Sequence, residues 1–359
     1  RLQRHHHIGK EAESLKREEK FPVLKKEGQW RAFGLFAGKQ IVRMAALLFL
    51  VSIAAFFLLS ISPVDPLKTN VGQAALGSMT DEQIAKLEQY WGVGVPMTER
   101  FLSWAGDLLR GDMGISLLYR RPVIQVIGEK LSNSLWLMAA AWLLSGTAGF
   151  LLGILAGKKR GGLLDRFVTG YSLVMASTPA FWIAMVLLMV FAVWLKILPV
   201  GFSIPVGMSA EEAGIGERIV HAILPAAALS LTGISNIALQ TREKMVEVME
   251  SDYVLFARAR GDSERSIVWR HGIRNVALPA LTLQFASVSE IFGGSVLVEQ
   301  VFSYPGLGQA AIAAGLGSDV PLLLGITIIS AAIVFAGNTA ASLLYGIVDP
   351  RIRRGGRKG

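Results

Sequence analysis

The residues of this chain that could do chemistry fall into two groups. The first is the run DYVLFARARGDSERSIVWRHGIRNVALP, Asp252–Pro279, a basic segment broken by one glycine. The second is a few polar side chains set in apolar sequence: Glu290 with Ser287 three residues before it, Asn236 with Gln240, and Asn338. Neither group supplies a nucleophile beside a base, or a set of metal ligands. His271 has no second ligand near it in sequence, and His5, His6 and His7 could hold a metal or be a cloning remnant. There is no cysteine, which excludes disulfides and thiolate metal sites. No GxxxxGK[ST] phosphate loop occurs, so nucleotide chemistry is expected on another chain. The chemistry left to these residues is docking and the solvation of a polar ligand, with no cofactor on this chain.

The elements that must position them are membrane helices. The sequence of 359 residues is 52% hydrophobic and 18% charged, a profile of an all-α polytopic membrane protein. Six apolar stretches, near Ile41–Ile61, Ser134–Gly157, Phe167–Leu195, Ile219–Thr241, Val276–Gln300 and Pro321–Ile347, each suffice for a hydrocarbon core of about 30 Å. Basic residues set their direction. Lys158, Lys159, Arg160 and Arg166 lie between spans two and three, and Arg258, Arg260, Arg265, Arg270 and Arg274 between spans four and five. Phe302–Val320 and Ile197–Glu217 have no Lys or Arg. Both termini are therefore expected in the cytoplasm. The net charge of +9 follows from this bias, so nucleic acid is not an expected partner.

The chain divides into a polar tail (1–29), an interfacial amphipathic helix (30–40) carrying Trp30, Phe33, Leu35 and Phe36, and a first span (41–61). An outer insert (62–132) follows, then spans two to six (133–348) with the loop 243–275, and a basic tail (349–359). The long polar start argues against a cleaved signal peptide. In the insert, Thr80, Glu82 and Gln83 open a helix that runs to Tyr90. Pro96–Arg110 reads as an amphipathic helix with Phe101, Leu102, Ala105, Leu108 and Leu109 on one side, and Gly111 and Gly114 set turns. The insert is either a cap over the helix ends or a docking surface for a soluble partner.

In the loop, Tyr253, Phe256, Ala257 and Arg260 fall at helical spacing. Gly261 suits a chain reversal, and Asp262 or Ser263 suits the cap of a second helix. Ile267, His271 and Arg274 are expected on one face of that helix. Two helices and a fixed turn exceed what topology requires; a rigid knob for a groove on another protein accounts for them.

This loop resembles the EAA loop of bacterial ABC importer permeases of the dipeptide, oligopeptide and nickel group, through Asp252, Tyr253, Ala257, Arg258, Ala259, Gly261, Arg270, His271, Arg274, Asn275 and Pro279. GDMGIS (Gly111–Ser116), RRPV (Arg120–Val123), STPAFW (Ser177–Trp182), HAILPAAAL (His221–Leu229), VEQVFSYPGLG (Val298–Gly308) and DPRIR (Asp349–Arg353) resemble further landmarks of that family, in order. Asp262, where the family usually has an apolar residue, Glu290 and the long polar tail depart from the pattern.

The resemblance implies a type I ABC importer permease in the cytoplasmic membrane of a bacterium or archaeon. Its implied partners are a second permease, two ATPase subunits carrying ATP and Mg, an extracytoplasmic binding protein and membrane lipid. Tyr253, Phe256, Ala257, Arg258, Gly261 and Asp262 would form the ATPase contact and its turn. Ala257 and Gly261 would permit close approach, and Arg258 would pair with a carboxylate. His271, Arg274 and Asn275 would brace the second helix. Glu290, Ser287, Asn236, Gln240 and Asn338 would line a pathway for peptides, or would serve helix–helix hydrogen bonding. Glu299 is expected at the outer boundary, and Pro179, Pro225 and Pro279 are expected to bend or start helices. A nickel or metal-chelate cargo, a secondary transporter and a membrane scaffold are the alternatives.

Overall fold

The structure, a computed structural model, describes residues 26–61, 77–90, 95–208 and 212–348. The segment with His5, His6 and His7, and the DPRIR segment, lie outside the described residues. Among the described residues the regular elements are all helices, beside one isolated β-bridge between Ile115 and Pro122.

Helix α1 (Lys26–Ile61) is continuous, so the interfacial segment and the first span are one rod, of which Gly38–Ile61 is apolar enough to cross a membrane. Helices α2 (Asp81–Tyr90) and α3 (Met97–Leu109) follow in the insert. Helix α4 (Val123–Gly157) is span two, lengthened at its start because the last helix of the insert fuses with it behind Pro122. Helices α5 (Leu163–Ala176) and α6 (Ala180–Leu187, continued by a π-helical stretch, Leu188–Trp194) form span three, bent by 106°. Helix α7 (Ile215–Met249) is span four. Helices α8 (Asp252–Ala259) and α9 (Glu264–Ile267) form the loop. Helices α10 (Arg274–Ala286) and α11 (Val288–Val301) belong to span five, which bends by 44°. Helix α12 (Leu307–Leu316) leads to α13 (Val320–Val348), span six. Counting each bent pair as one span gives six crossings.

The bends have local causes. At Ser177–Pro179 the two hydroxyls turn back onto the carbonyls of Leu173 and Val174, and Pro179 opens α6 from an extended conformation. Proline lacks the N–H that would continue the ladder. Pro225 and Pro279, by contrast, sit inside uninterrupted helices, and span five bends at Ser287.

Helices α4 and α7 form the central pair. Gly149, Gly153 and Gly157 recur every fourth residue on α4 and face Ile237, Thr241 and Met245 of α7. A Cβ at Gly153 would meet the Thr241 Cβ at 2.5 Å and the Ala238 carbonyl oxygen at 2.7 Å. Only glycine allows this approach, which lets van der Waals contact join helices where lipid supplies no hydrophobic drive. Beside this seam, Asp165 at the start of α5 is buried and binds Arg242 of α7 through Nε at 2.6 Å and Nη2 at 2.9 Å. The forked geometry fixes α5 against α7.

The insert packs on the first span through aromatic rings. Phe56 of α1 meets Phe101 and Trp104 of α3, and Phe57 meets Phe101, with centroids 5.3–5.9 Å apart. The partly buried face of α3 is thus Phe101, Trp104, Ala105 and Leu108, while Leu102 and Leu109 are exposed. Spacing of three and four residues decides this, and Leu102 and Leu109 fall off the stripe. Thr80 caps α2 through reciprocal bonds with Gln83, at 3.0 and 3.4 Å.

Candidate functional site

The loop between α7 and α9 sits on a small apolar floor. Val254 and Ala257 of α8 are fully buried against Ile154 of α4, Met245, Val248 and Met249 of α7, and Ile267 and Val276 beyond the turn. The opposite face of α8 presents Tyr253, Leu255 and Phe256, with Phe256 71% exposed. Ala257 is therefore no surface contact. Its small side chain permits close approach, but to the floor beneath it, because it lies three residues from Val254 on the inward stripe.

The turn is fixed by backbone bonds. Gly261 has φ +86°, the Asp262 N–H donates to the Ala257 carbonyl (3.1 Å) and the Gly261 N–H to that of Arg258 (2.9 Å). These two bonds define a Schellman ending, which needs a left-handed residue where the glycine stands. Ser263, rather than Asp262, caps α9 by accepting from the Ser266 N–H. Asp262 instead pairs with Arg260 at 3.2 Å. Arg258 reaches across the turn to Glu264 with Nε at 2.7 Å and Nη2 at 3.3 Å, and the bond to this carboxylate raises the guanidinium above its ordinary value. The carboxylate partner of Arg258 is thus on its own chain.

Beyond α9 the helix widens into a π-helical stretch, Val268–Ile273. Buried positions then run Ile267, Gly272, Val276, Ala280, Gln284, a step of five followed by steps of four. Ile267, His271 and Arg274 consequently do not share a face, since the extra residue rotates every position after it. His271 is half-buried with its ring 5.8 Å from that of Tyr253, and so braces the first helix. Arg274 and Asn275 are exposed, and the Asn275 amide donates to the His271 carbonyl of its own helix. A close contact accompanies the widening: a Cβ on Gly272 would meet Met245 Cε at 2.5 Å.

At the far end of the helices two buried acids hold the insert and the segment after span five. Glu299 is fully buried. It accepts from the Ser134 hydroxyl of α4 (2.6 Å) and from the N–H groups of Gly308 (2.8 Å) and Gln309 (3.2 Å) at the start of α12. A Cβ on Gly306 would fall within 2.5 Å of that carboxylate, which explains the glycine in YPGLG. Burial, then the Glu299 charge, pushes the adjacent Tyr304 phenol up to about 12, so it stays neutral. Asp319, also fully buried, accepts from the Ser116 hydroxyl (2.5 Å) and the Leu118 N–H (2.9 Å) of the insert, and caps α13 through the Leu322 N–H (3.1 Å). GDMGIS thus ends on the residue that ties the insert to span six.

The model of the family described as "Binding-protein-dependent transport system inner membrane component" matches residues 149–354, from the glycine seam through the loop to span six and beyond. The chain belongs to this family. It is a multi-pass membrane protein. The oligopeptide transport system permease protein AppB of Bacillus subtilis is 34% identical over 84% of this chain and 94% of its own length. The di/tripeptide permease DppB of Pseudomonas aeruginosa is 33% identical over 89% and 98%, and the dipeptide permease DppB of Escherichia coli 30% over 84% and 94%.

Among the polar residues within the spans of this permease, Glu290, Asn236, Gln240 and Asn338 lie on exposed surface. Gln240 donates to Asn236 at 3.4 Å, and Ser289 donates to Asn338 at 2.9 Å, joining spans five and six. Ser287 is apart from them: it is buried at the bend of span five and donates to the Gln284 carbonyl. The bend separates it from Glu290, which periodicity alone places on the same face.

Sequence reasoning missed Asp319, Ser116, Asp165 with Arg242, and the caged state of Glu299. Two signals were available: G-x-x-x-G-x-x-x-G in span two, and an aspartate immediately before an apolar helix, the capping position.

Proposed function

We propose that this permease forms half of the translocation pathway of an ATP-driven peptide importer in a bacterial cytoplasmic membrane, with the loop on the cytoplasmic side. A second permease would complete the pathway, two ATPase subunits would supply the energy, and an extracytoplasmic binding protein would deliver the cargo. The observation that carries this reading is the loop. Its apolar underside rests on the ends of α4 and α7, while Tyr253, Leu255 and Phe256 are left outside. A rigid helix with an exposed apolar face fits a groove on a partner, and movement of the partner would pass straight into the two central helices. The relatives, named as peptide permeases, favour peptide cargo over nickel or a metal chelate. Glu290, Asn236, Gln240 and Asn338 are the proposed polar lining, exposed on this chain where the second permease or the cargo would face them.

Phe256→Glu tests the docking role, because a side chain so exposed can change without disturbing the floor. Capture of the ATPase subunits on the purified permease pair and peptide uptake into vesicles should both fall at least about tenfold, as expected for an anchor residue. Capture and uptake at wild-type levels would defeat the reading.

A further inference from the structure

Just past the turn, the helix carries a feature that lies outside the proposed Phe256 contact. Trp269 is 72% exposed and stands between two clefts. One, of about 580 Å³, includes Arg265 and Ser266 in its lining; the other, of about 750 Å³, includes Arg270, His271 and Arg274. These three arginines are exposed and have no ion pair among the described residues. The two acids of the turn are engaged, Glu264 with Arg258 and Asp262 with Arg260. Around one indole, three cationic forks are left without anions.

Their level along the span identifies the anion's source. Glu299 lies near the other end of the same broken span, 30 positions from Trp269. At about 1.5 Å per residue this is about 45 Å along the chain, comparable to a bilayer with its headgroups. Val276, the first fully buried residue after the π-helical stretch, opens the apolar part. Trp269 and the arginines therefore sit in the headgroup layer on the loop side. An indole is favoured at that depth, and arginines there attract acidic lipid. The widening of the helix turns Arg270 and Arg274 outward; an unbroken α-helix would have kept Arg274 on the inward stripe with Ile267.

We infer that Arg265, Trp269, Arg270 and Arg274 form a binding site for the phosphate headgroup of an anionic phospholipid, which seats the coupling loop against the membrane surface. Arginine forks match phosphate oxygens, and the ring packs on the glycerol and upper acyl chain. The site lies on the flank of the second helix, outside the proposed Phe256 contact.

The test uses the complete importer in nanodiscs of phosphatidylcholine containing either brominated phosphatidylglycerol or brominated phosphatidylcholine. Tryptophan quenching is compared between the wild type and Trp269→Phe, and the difference isolates the Trp269 signal. The expected result is Trp269-dependent quenching that is stronger with brominated phosphatidylglycerol. The triple variant Arg265→Gln/Arg270→Gln/Arg274→Gln should weaken that preference at least about tenfold, because each basic residue near an acidic surface adds to the attraction. Lys158→Gln/Lys159→Gln/Arg166→Gln, with the same charge removed from the neighbouring loop, should leave it intact. No Trp269-dependent quenching, equal quenching by both lipids, or equal loss in both triple variants would overturn the inference. The wild-type comparison stands even if the triple variant does not fold.

Discussion

Loss of the Asp319 carboxylate should free the insert from span six, and its largest single partner is measurable by a double-mutant cycle. Three donors converge on Asp319: the Ser116 hydroxyl at 2.5 Å, the Leu118 N–H at 2.9 Å and the Leu322 N–H at 3.1 Å. Asp319 and Ser116 are fully buried, so water does not readily replace a lost partner. Each buried donor left without an acceptor costs about 1–3 kcal/mol, so Asp319→Ala should destabilise by about 3–5 kcal/mol after partial relaxation. Ser116→Ala in the wild type removes the short bond to Asp319 and the bond that the hydroxyl accepts from the Tyr119 N–H (3.1 Å), and should cost about 3 kcal/mol. On the Asp319→Ala background only the Tyr119 bond is left to lose, so the same change should cost about 1 kcal/mol, leaving a coupling of about 2 kcal/mol. The assay is unfolding in mixed micelles with increasing dodecyl sulfate, followed by tryptophan fluorescence. Tryptic cleavage after Arg120, exposed in the insert, gives an independent readout of local release. Coupling below about 0.5 kcal/mol would show that the bond does not hold the insert.

The glycine seam and the polar face of span five each yield a further expected outcome. Gly153→Val places a methyl-bearing carbon 2.5 Å from the Thr241 Cβ and should cost about 1–3 kcal/mol by overpacking. Gly106→Ala, with nothing near its Cβ position, serves as the control, and equal melting temperatures for the two variants would refute a close seam between α4 and α7. Glu290→Gln should lower uptake of cationic peptides several-fold while leaving neutral peptides and ATPase capture unchanged, and equal uptake of cationic peptides by variant and wild type would remove Glu290 from the pathway.

The apolar helices are readable from length, four of them unbroken and two as bent pairs, and the loop from its punctuation: Gly261 and Ser263 act locally, through backbone angles and a cap that short sequence carries. The insert helices are readable for the same reason, at Thr80 and Pro96. The tertiary polar bonds are not. Asp319 and Ser116 are 203 residues apart, and nothing in either segment alone marks the other as its partner. Glu299 reads as a boundary charge because Tyr304-Pro305-Gly306 follows it. Its true setting needs three donors brought together from α4 and α12 by the fold. Ala257 falls on the wrong side in a sequence reading for a related reason, since helical spacing groups residues into faces but does not say which face looks inward.

The π-helical stretch shows how one local departure misdirects a periodic reading. A step of five rotates every later residue by one position relative to an α-helix, so positions predicted inward move to the flank. Before the step the stripe holds Ile267; after it the stripe passes to Gly272 and Val276. Gly272 is the residue that can sit against Met245 without a clash, so the steric demand of α7 and the register of span five meet at one point. An α-helical continuation would have set His271 and Arg274 toward the floor of Met245 and Val248, where an unpaired guanidinium has no acceptor. Turning the arginines outward keeps that floor apolar, and the same rotation leaves their charge at the depth of the lipid headgroups.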